Sequence, residues 1–187
     1  MESQFVSPYV HDLLGDLDFD FPEGTHAIGR LDKYSEGLLL LTTNKKITAL
    51  LFQSKVPHKR TYLVQVKHKV SPEGLAQLRS GLSIRVRGGG FYTTPPCEVH
   101  IVERPEKYFP NIAEAKYQLP STWLTITLYE GKFHQVRKMV LGIRHKCVRL
   151  IRTSIEDLEL GDLPPWQIRE MKEEDFFRLL KLEPIKV

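Results

Sequence analysis

The sequence predicts an α+β fold with a mixed, largely antiparallel central sheet flanked by short helices. Segments with the alternation typical of strands are interleaved with short segments of helical periodicity. The connections between them are too short for the repeated right-handed crossovers of a doubly wound sheet. A chain of 187 residues can bury a substantial core, and we expect residues 1–187 to form a single domain.

The strands are predicted from short apolar runs and from two-residue alternation. Residues 37–43 are too few and too apolar for a surface helix, so we interpret them as one buried strand. Residues 61–67 alternate between two faces, as in a half-buried strand. The same signals predict further strands over residues 84–87, 97–103, 123–130 and 147–155.

The helices are predicted where a capping residue precedes an apolar stripe. Ser71 is typical of an N-cap, Pro72 of a first helical position, and Gly81 of a helix stop. Four helices are expected, over residues 45–53, 72–80, 133–143 and 173–180. The three glycines at 88–90 are not followed by the Gly-Lys-Ser/Thr sequence of a phosphate-binding loop, so they indicate a turn.

Charge is distributed unevenly along this chain, whose net charge is +4. Residues 1–24 contain six acidic residues and no lysine or arginine, whereas residues 131–155 contain seven basic residues and no acidic one. A second basic stretch covers residues 45–69. A charge run is commonly just a solvated face, but two basic segments between acidic ends are typical of a polyanion-binding surface and favour nucleic acid as the partner.

Composition argues against several other classes of protein. No apolar run approaches the roughly 18 residues of a transmembrane helix, and no segment resembles a signal peptide. We therefore expect a cytoplasmic protein without a membrane partner. The only cysteines, Cys97 and Cys147, have no second cysteine or paired histidine nearby, and Cys97 with His100 alone does not make a metal site. We expect reduced thiols and no bound metal.

The sequence Gly-Arg-Leu-Asp at 29–32 is the strongest candidate for a catalytic motif. It places the Asp32 carboxylate between two cations, Arg30 and Lys33, just before an apolar run. Cationic neighbours favour an ionised carboxylate, which can act as a nucleophile or a base. Because an ordinary turn before a core strand can have the same sequence, the motif becomes specific only in combination with others.

Four motifs in order resemble those of the RNA pseudouridine synthases. They are Gly-Arg-Leu-Asp-x-x-Ser-Glu-Gly at 29–37, Arg-Thr-Tyr-Leu-Val at 60–64, Glu-Gly-Lys-x-x-Gln-Val-Arg-Lys-Met at 130–139 and Val-Arg-Leu-x-Arg at 148–152. Their order and separations resemble the branch that acts on single uridines in ribosomal RNA, and most closely its members that act on the large subunit. The resemblance covers roughly residues 3–170.

The resemblance implies the pseudouridine synthase catalytic fold and a reaction that needs neither metal nor cofactor. It implies site-specific isomerisation of uridine to pseudouridine in large-subunit ribosomal RNA, which would be the partner of a monomeric enzyme. Members of this branch usually open with a strand carrying an Asn-Lys-Pro motif, and many have a small N-terminal RNA-binding module. This sequence matches neither, so we expect a catalytic domain without them.

The resemblance also implies roles for individual residues. Asp32 is expected to be the catalytic carboxylate, which either adds to C1′ of the ribose or removes the C2′ proton to give a glycal. Arg137 is expected to pair with Asp32 and hold its rotamer. Tyr62 is expected to stack on the target base with its phenol near C5. Val148 and Leu150 would form the base pocket.

RNA contacts are expected from the cations within and beside these motifs. Arg30 would grip the RNA backbone or fill the base stack once the uridine flips out, and Arg60 would contact a phosphate. The complete expected set is Arg30, Lys33, Arg60, Lys138, Arg149 and Arg152. His134 is interpreted as a surface or capping residue and not as an acid–base group.

Two other functions are compatible with parts of the pattern. A catalytically idle RNA-binding or ribosome-assembly protein on this scaffold would be expected to lack Asp32 or Tyr62, and both are present. A retaining glycosidase would need a second carboxylate about 5 Å from Asp32, such as Glu36, but basic flanks suit a polyanion better than a neutral sugar. The choice of uridine, and of free RNA or an assembly intermediate, stays open.

Overall fold

The computed structural model describes residues 13–52, 56–110, 112 and 120–182. The start of the resemblance, from residue 3, lies outside these residues. The described elements are β1 (His26–Ile28), β2 (Glu36–Gly37), β3 (Leu40–Thr42), α1 (Lys46–Phe52), β4 (Arg60–Lys67), α2 (Pro72–Ser80), β5 (Ser83–Arg85), β6 (Phe91–Thr93), β7 (Glu98–Val102), β8 (Ser121–Leu128), α3 (Gln135–Gly142), β9 (Cys147–Ile155), β10 (Leu158–Glu159) and α4 (Glu173–Leu179). Short 3₁₀ turns lie at Leu14–Asp16 and Pro105–Lys107.

A six-stranded mixed sheet forms the centre of the described structure. Its strand order is β10-β9-β4-β8-β7, and every pair along this path is antiparallel. Strand β2 adds to β9 in parallel, pairing Gly37 with Arg152. The predicted mixed, largely antiparallel sheet flanked by short helices is therefore confirmed.

Apolar side chains cover both faces of this sheet because its central strands alternate between two cores. On β4, Val64 and Val66 belong to one core cluster, together with Met139 of α3. Leu63, which points to the opposite face, belongs to a second cluster with Phe177 of α4. The alternate side chains of this strand therefore pack into two different cores, whereas in a half-buried strand one set would face solvent.

Helix α2 begins and ends at the predicted signals. The Ser71 hydroxyl accepts a hydrogen bond from the Gly74 amide at 3.1 Å, and Pro72 occupies the first turn. Gly81 ends the helix with a φ of +87°. Helix α3 begins two residues later than predicted because His134 adopts a left-handed conformation with a φ of +54°.

The single strand predicted over residues 37–43 is wrong, because the structure divides this segment between two sheets. Gly37 pairs with β9 and has a φ of +101°, and the Leu38 amide then donates to the Arg152 carbonyl at 2.8 Å. From Leu40 the chain pairs with β1 instead. A side chain at position 37 would place its Cβ 2.3 Å from the Arg152 carbonyl oxygen, so glycine is needed at this crossing.

Three very short strands, β1, β6 and β10, were not predicted. Strand β6 forms a hairpin with β5, and the connecting turn contains Gly88 and Gly89 with φ values of +94° and +92°. The turn predicted at the glycine run is thus confirmed. The β-favouring residues of β6 directly after these glycines were the available hairpin signal. Two- and three-residue strands offer too few positions for alternation to be visible.

Candidate active site

A cleft of about 570 Å³ opens where the loop after β1, strands β4 and β9, and the segment after β8 meet. Its size lies within the range of small-ligand sites. Six of the residues predicted for the site line it: Arg30, Asp32, Arg60, Tyr62, Leu150 and Arg152. Residues as far apart in the sequence as Arg30 and Arg152, 122 positions, thus line one cavity.

Asp32 lies on a tight turn at the mouth of this cleft. The Ser35 amide donates to the Asp32 carbonyl at 2.8 Å, which closes the turn between β1 and β2. The Asp32 carboxylate lies 3.6 Å from Nε2 of His134, and the two side chains are 34% and 40% exposed. This exposure leaves the carboxylate reachable from the cleft.

Arg137 lies near this turn but is not the ion-pair partner of Asp32. Its Nη2 donates to the Tyr34 carbonyl oxygen and lies 3.3 Å from the Ser35 hydroxyl. Within the described part of the chain, the basic side chain at ion-pair distance from the Asp32 carboxylate is His134, whose imidazole is charged only when it is protonated. The expected Asp32–Arg137 pair is therefore corrected: Arg137 holds the backbone of the turn that carries Asp32.

Gln135 and Glu130 organise the opposite wall of the cleft. The Gln135 side chain donates to Glu130 Oε1 at 2.6 Å and accepts from the Lys132 amide at 2.8 Å. The Tyr92 hydroxyl donates to Glu130 Oε2 at 2.5 Å, and this hydrogen bond raises the pKa of Tyr92. The segment between β8 and α3 is thereby held in a fixed shape.

Arg152 lies inside the protein and not on an exposed surface, which corrects its predicted contact with RNA. It is only 4% exposed, and its Nε donates to the Leu38 carbonyl at 2.8 Å. It pairs with Tyr62 across β4 and β9. The pKa of Arg152 is lowered, because the effect of burial outweighs the opposing effect of the nearby Tyr62 hydroxyl.

Arg149 and Arg60 also depart from their expected roles as RNA contacts. The Arg149 guanidinium makes a bidentate contact with Glu36, at 2.8 and 2.7 Å, which raises the pKa of Arg149. Arg60 is only 7% exposed, and burial lowers its pKa. The Arg149 guanidinium thus holds β9 to Glu36 of β2, and Arg60 lines the cleft.

The remaining predicted residues lie outside the cleft. Lys33 is exposed and lines an adjoining apolar groove of about 1110 Å³. Lys138 places its Nζ 5.3 Å from the centre of the exposed Phe133 ring. Val148 is half-buried and, unlike Leu150, does not line the cleft.

Sequence reasoning missed the parts played by His134, Gln135 and Lys132. All three lie inside the motif at 130–139, so their position was the available signal. The prediction that His134 is a surface or capping residue is confirmed, since it is the N-cap of α3 and its side chain is 40% exposed. Its stacking on Phe133, with ring centres 3.8 Å apart, and its contact with Asp32 were not predicted. The left-handed backbone of His134 turns its ring towards the Asp32 carboxylate, and no local sequence pattern predicts this conformation.

Over the described residues, no group of three or more His, Cys, Asp or Glu side chains could hold a metal ion. None of the helices in the same part of the chain has the length and apolar character needed to cross a membrane.

Comparison with known families agrees with this arrangement of fold and cleft. The family model described as RNA pseudouridylate synthase matches residues 16–141, which include Asp32, Tyr62 and Arg137. This chain therefore belongs to the RNA pseudouridylate synthase family. A solved structure described as a pseudouridylate synthase superposes with a TM-score of 0.67 at 26% identity, covering 86% of this chain and 63% of that one.

The chain is also similar to curated proteins named ribosomal large subunit pseudouridine synthase E. The protein from Vibrio parahaemolyticus is 37% identical over 148 residues, which are 79% of this chain and 60% of that protein. The one from Xanthomonas axonopodis pv. citri is 31% identical over 150 residues, with coverage of 79% and 76%. This chain thus spans about three fifths of the length of the Vibrio relative.

Proposed function

We propose that this chain isomerises a single uridine of large-subunit ribosomal RNA to pseudouridine. The observation that carries the proposal is the position of Asp32 at the mouth of a cleft whose wall includes Tyr62. The similarity to proteins named for large-subunit ribosomal RNA supports the substrate. We further propose that the enzyme is a cytoplasmic monomer that needs no membrane partner, since its substrate would be ribosomal RNA.

In this proposal the reaction breaks the bond between C1′ and N1, rotates the uracil, forms a bond from C1′ to C5 and removes the C5 proton. Asp32 either adds to C1′ or takes the C2′ proton, and both routes remain open. Tyr62 offers an aromatic face on which the base can turn and a hydroxyl near C5. Arg137 keeps the Asp32 turn in place through Tyr34 and Ser35.

The RNA would be bound along the exposed rim of the cleft. Arg30 and Lys132 line its edge, and both are exposed. The exposed Phe133 and Tyr129 rings lie on the same rim and can stack on unpaired bases. Extruding the uridine costs a few kcal/mol, which such stacking and phosphate contacts offset.

The structure argues against the glycosidase alternative, because the second carboxylate that such an enzyme needs is already paired. Glu36, the residue considered for that role, is engaged by both arms of the Arg149 guanidinium. An idle RNA-binding protein remains the alternative to test, because an intact cleft alone does not demonstrate turnover.

The test is pseudouridine mapping on large-subunit ribosomal RNA treated with the purified full chain. We expect one modified uridine with the wild type and none with Asp32→Asn, because the amide keeps the shape but loses the charge and the nucleophile. Asp20→Asn, at an exposed position away from the cleft, is the matched control and should be fully active. RNA binding without any modification by the wild type would favour the idle alternative. Residual Asp32→Asn turnover above about a hundredth of wild type would contradict the role of Asp32.

A further inference from the structure

Arg152 is the most deeply buried charged side chain that borders the cleft. It projects from β9 on the same side as Leu150 and is the cross-strand neighbour of Tyr62. The guanidinium therefore lies beside the aromatic ring on which the target base would rest. A cation so placed is held away from bulk water, which strengthens its interaction with any nearby negative charge.

The hydrogen bonds of this guanidinium are incomplete. Nε donates to the Leu38 carbonyl at 2.8 Å, and the Tyr62 hydroxyl interacts with the same group. Nη2 is buried and has no hydrogen-bond partner within the described residues. An unsatisfied buried donor on a charged group destabilises the fold, so its retention requires an explanation.

The proposed reaction produces a negative charge at this place. When the C1′–N1 bond breaks, its electron pair leaves with the uracil and is delocalised over N1, O2, C5 and O4. If Asp32 adds to C1′, a carboxylate oxygen forms the new bond. If Asp32 takes the C2′ proton, a C1′–C2′ double bond forms. The free base carries the negative charge in both routes.

We propose that Arg152 stabilises the departing uracil anion by donating to a carbonyl oxygen of the base from the cleft wall beside Tyr62. This inference rests on the proposed function and assigns to Arg152 a part in it that does not depend on which route Asp32 follows. Fixed donors aimed at developing charge commonly contribute 10²- to 10³-fold to a rate.

A leaving-group substitution tests this assignment. Fluorine at C5 withdraws electrons and stabilises the uracil anion, so a 5-fluorouridine substrate depends less on external stabilisation. The probes are two copies of the ribosomal RNA segment around the mapped uridine, with ³²P-labelled uridine or 5-fluorouridine at the target. Single-turnover loss of the starting nucleotide is followed by nuclease digestion and thin-layer chromatography.

We expect Arg152→Met to slow uridine conversion about 100-fold and 5-fluorouridine conversion only about tenfold. The RNA dissociation constant should not change, because Arg152 does not reach phosphate. Arg79→Met is the matched control: the Arg79 Nε also donates to a backbone carbonyl, that of Val99 at 2.8 Å, but Arg79 does not line the cleft. Its rates on both probes should equal those of the wild type.

Equal losses on the two probes would overturn the inference and leave Arg152 as a support for Leu38 alone. If Arg152→Met does not fold by circular dichroism, Arg152→Lys and Arg152→Gln provide the same comparison. The lysine variant, which keeps the charge, should then lose less on uridine than the glutamine variant, and the reverse order would contradict the assignment. Failure of the wild type to convert uridine would instead refute the proposed function, so the two failures are distinguishable.

Discussion

Four cations of the basic stretch at residues 131–155 form an interior part and a rim part, which differ in the groups that they contact. The interior part consists of Arg149 and Arg152 on β9, of which one is bound to Glu36 and the other is almost inaccessible to solvent. The rim part consists of Lys132, which lines the cleft, and Lys138, which lies outside the cleft beside the rim residue Phe133. Their Nζ atoms lie over aromatic rings at 4.8 and 5.3 Å. One uninterrupted charge run therefore serves two purposes.

The residue types match these two environments. A guanidinium is weakly hydrated and has five donors in a rigid plane, so it can be buried and shared among carbonyl and carboxylate groups. An ammonium is strongly hydrated and flexible, which suits a surface that adapts to a polyanion. A count of cations along the sequence therefore overestimates the number available to bind RNA wherever those cations are arginines on an interior strand.

The largest expected effect concerns the backbone contact that positions the interior cations. Gly37→Ala would place a Cβ 2.3 Å from the Arg152 carbonyl oxygen at a φ of +101°, so we expect a loss of about 3–4 kcal/mol in the free energy of unfolding. Urea denaturation measures it. Gly24→Ala, at a φ of +80° with open space around its Cβ, should cost only about 1 kcal/mol. Equal losses would mean that β2 and β9 separate easily.

A second prediction separates chemistry in the interior from binding at the rim. Tyr62→Phe keeps the stacking face and removes the hydroxyl, so RNA affinity should persist while product formation slows about 100-fold. A primary isotope effect with 5-deuteriouridine should appear because removal of the C5 proton becomes limiting. Tyr129→Phe, at the exposed rim, is the control and should leave both measurements unchanged. If Tyr62→Phe turned over at the wild-type rate, the Tyr62 hydroxyl would have no part in proton removal, and the residue would act only by stacking on the base.

The smallest expected effect concerns the salt dependence of RNA binding. The double variant Lys132→Ala/Lys138→Ala should flatten the slope of log affinity against log salt by about 1.4, at roughly 0.7 per lost contact to single-stranded RNA. Arg149→Gln should leave the slope as in the wild type, because Glu36 and not RNA occupies its guanidinium. A filter-binding titration from low to high salt provides both values. If the salt dependence of RNA affinity flattened equally in the lysine double variant and in Arg149→Gln, interior and rim cations would contribute alike to RNA binding.

Much of the fold could be predicted because its signals are local. The start and end of helix α2 are marked in the sequence by Ser71 at the N-cap, Pro72 in the first turn and Gly81 at the C-cap. Strands of eight or nine residues, such as β4 and β9, are long enough for alternation to be visible. Strands of two or three residues are defined by their partners, so no local pattern could predict them.

The sequence by itself indicated the family and, through that family, the proposed reaction and the candidates Asp32 and Tyr62, because its ordered motifs resemble those of the family. Only the tertiary structure decided which groups meet. Arg137 holds the turn at Tyr34 and Ser35 while His134 takes the place at Asp32. Arg152 points inward because Gly37 lets a second strand pack against its backbone. Burial and pairing depend on segments more than 100 residues apart, and no local pattern contains that information.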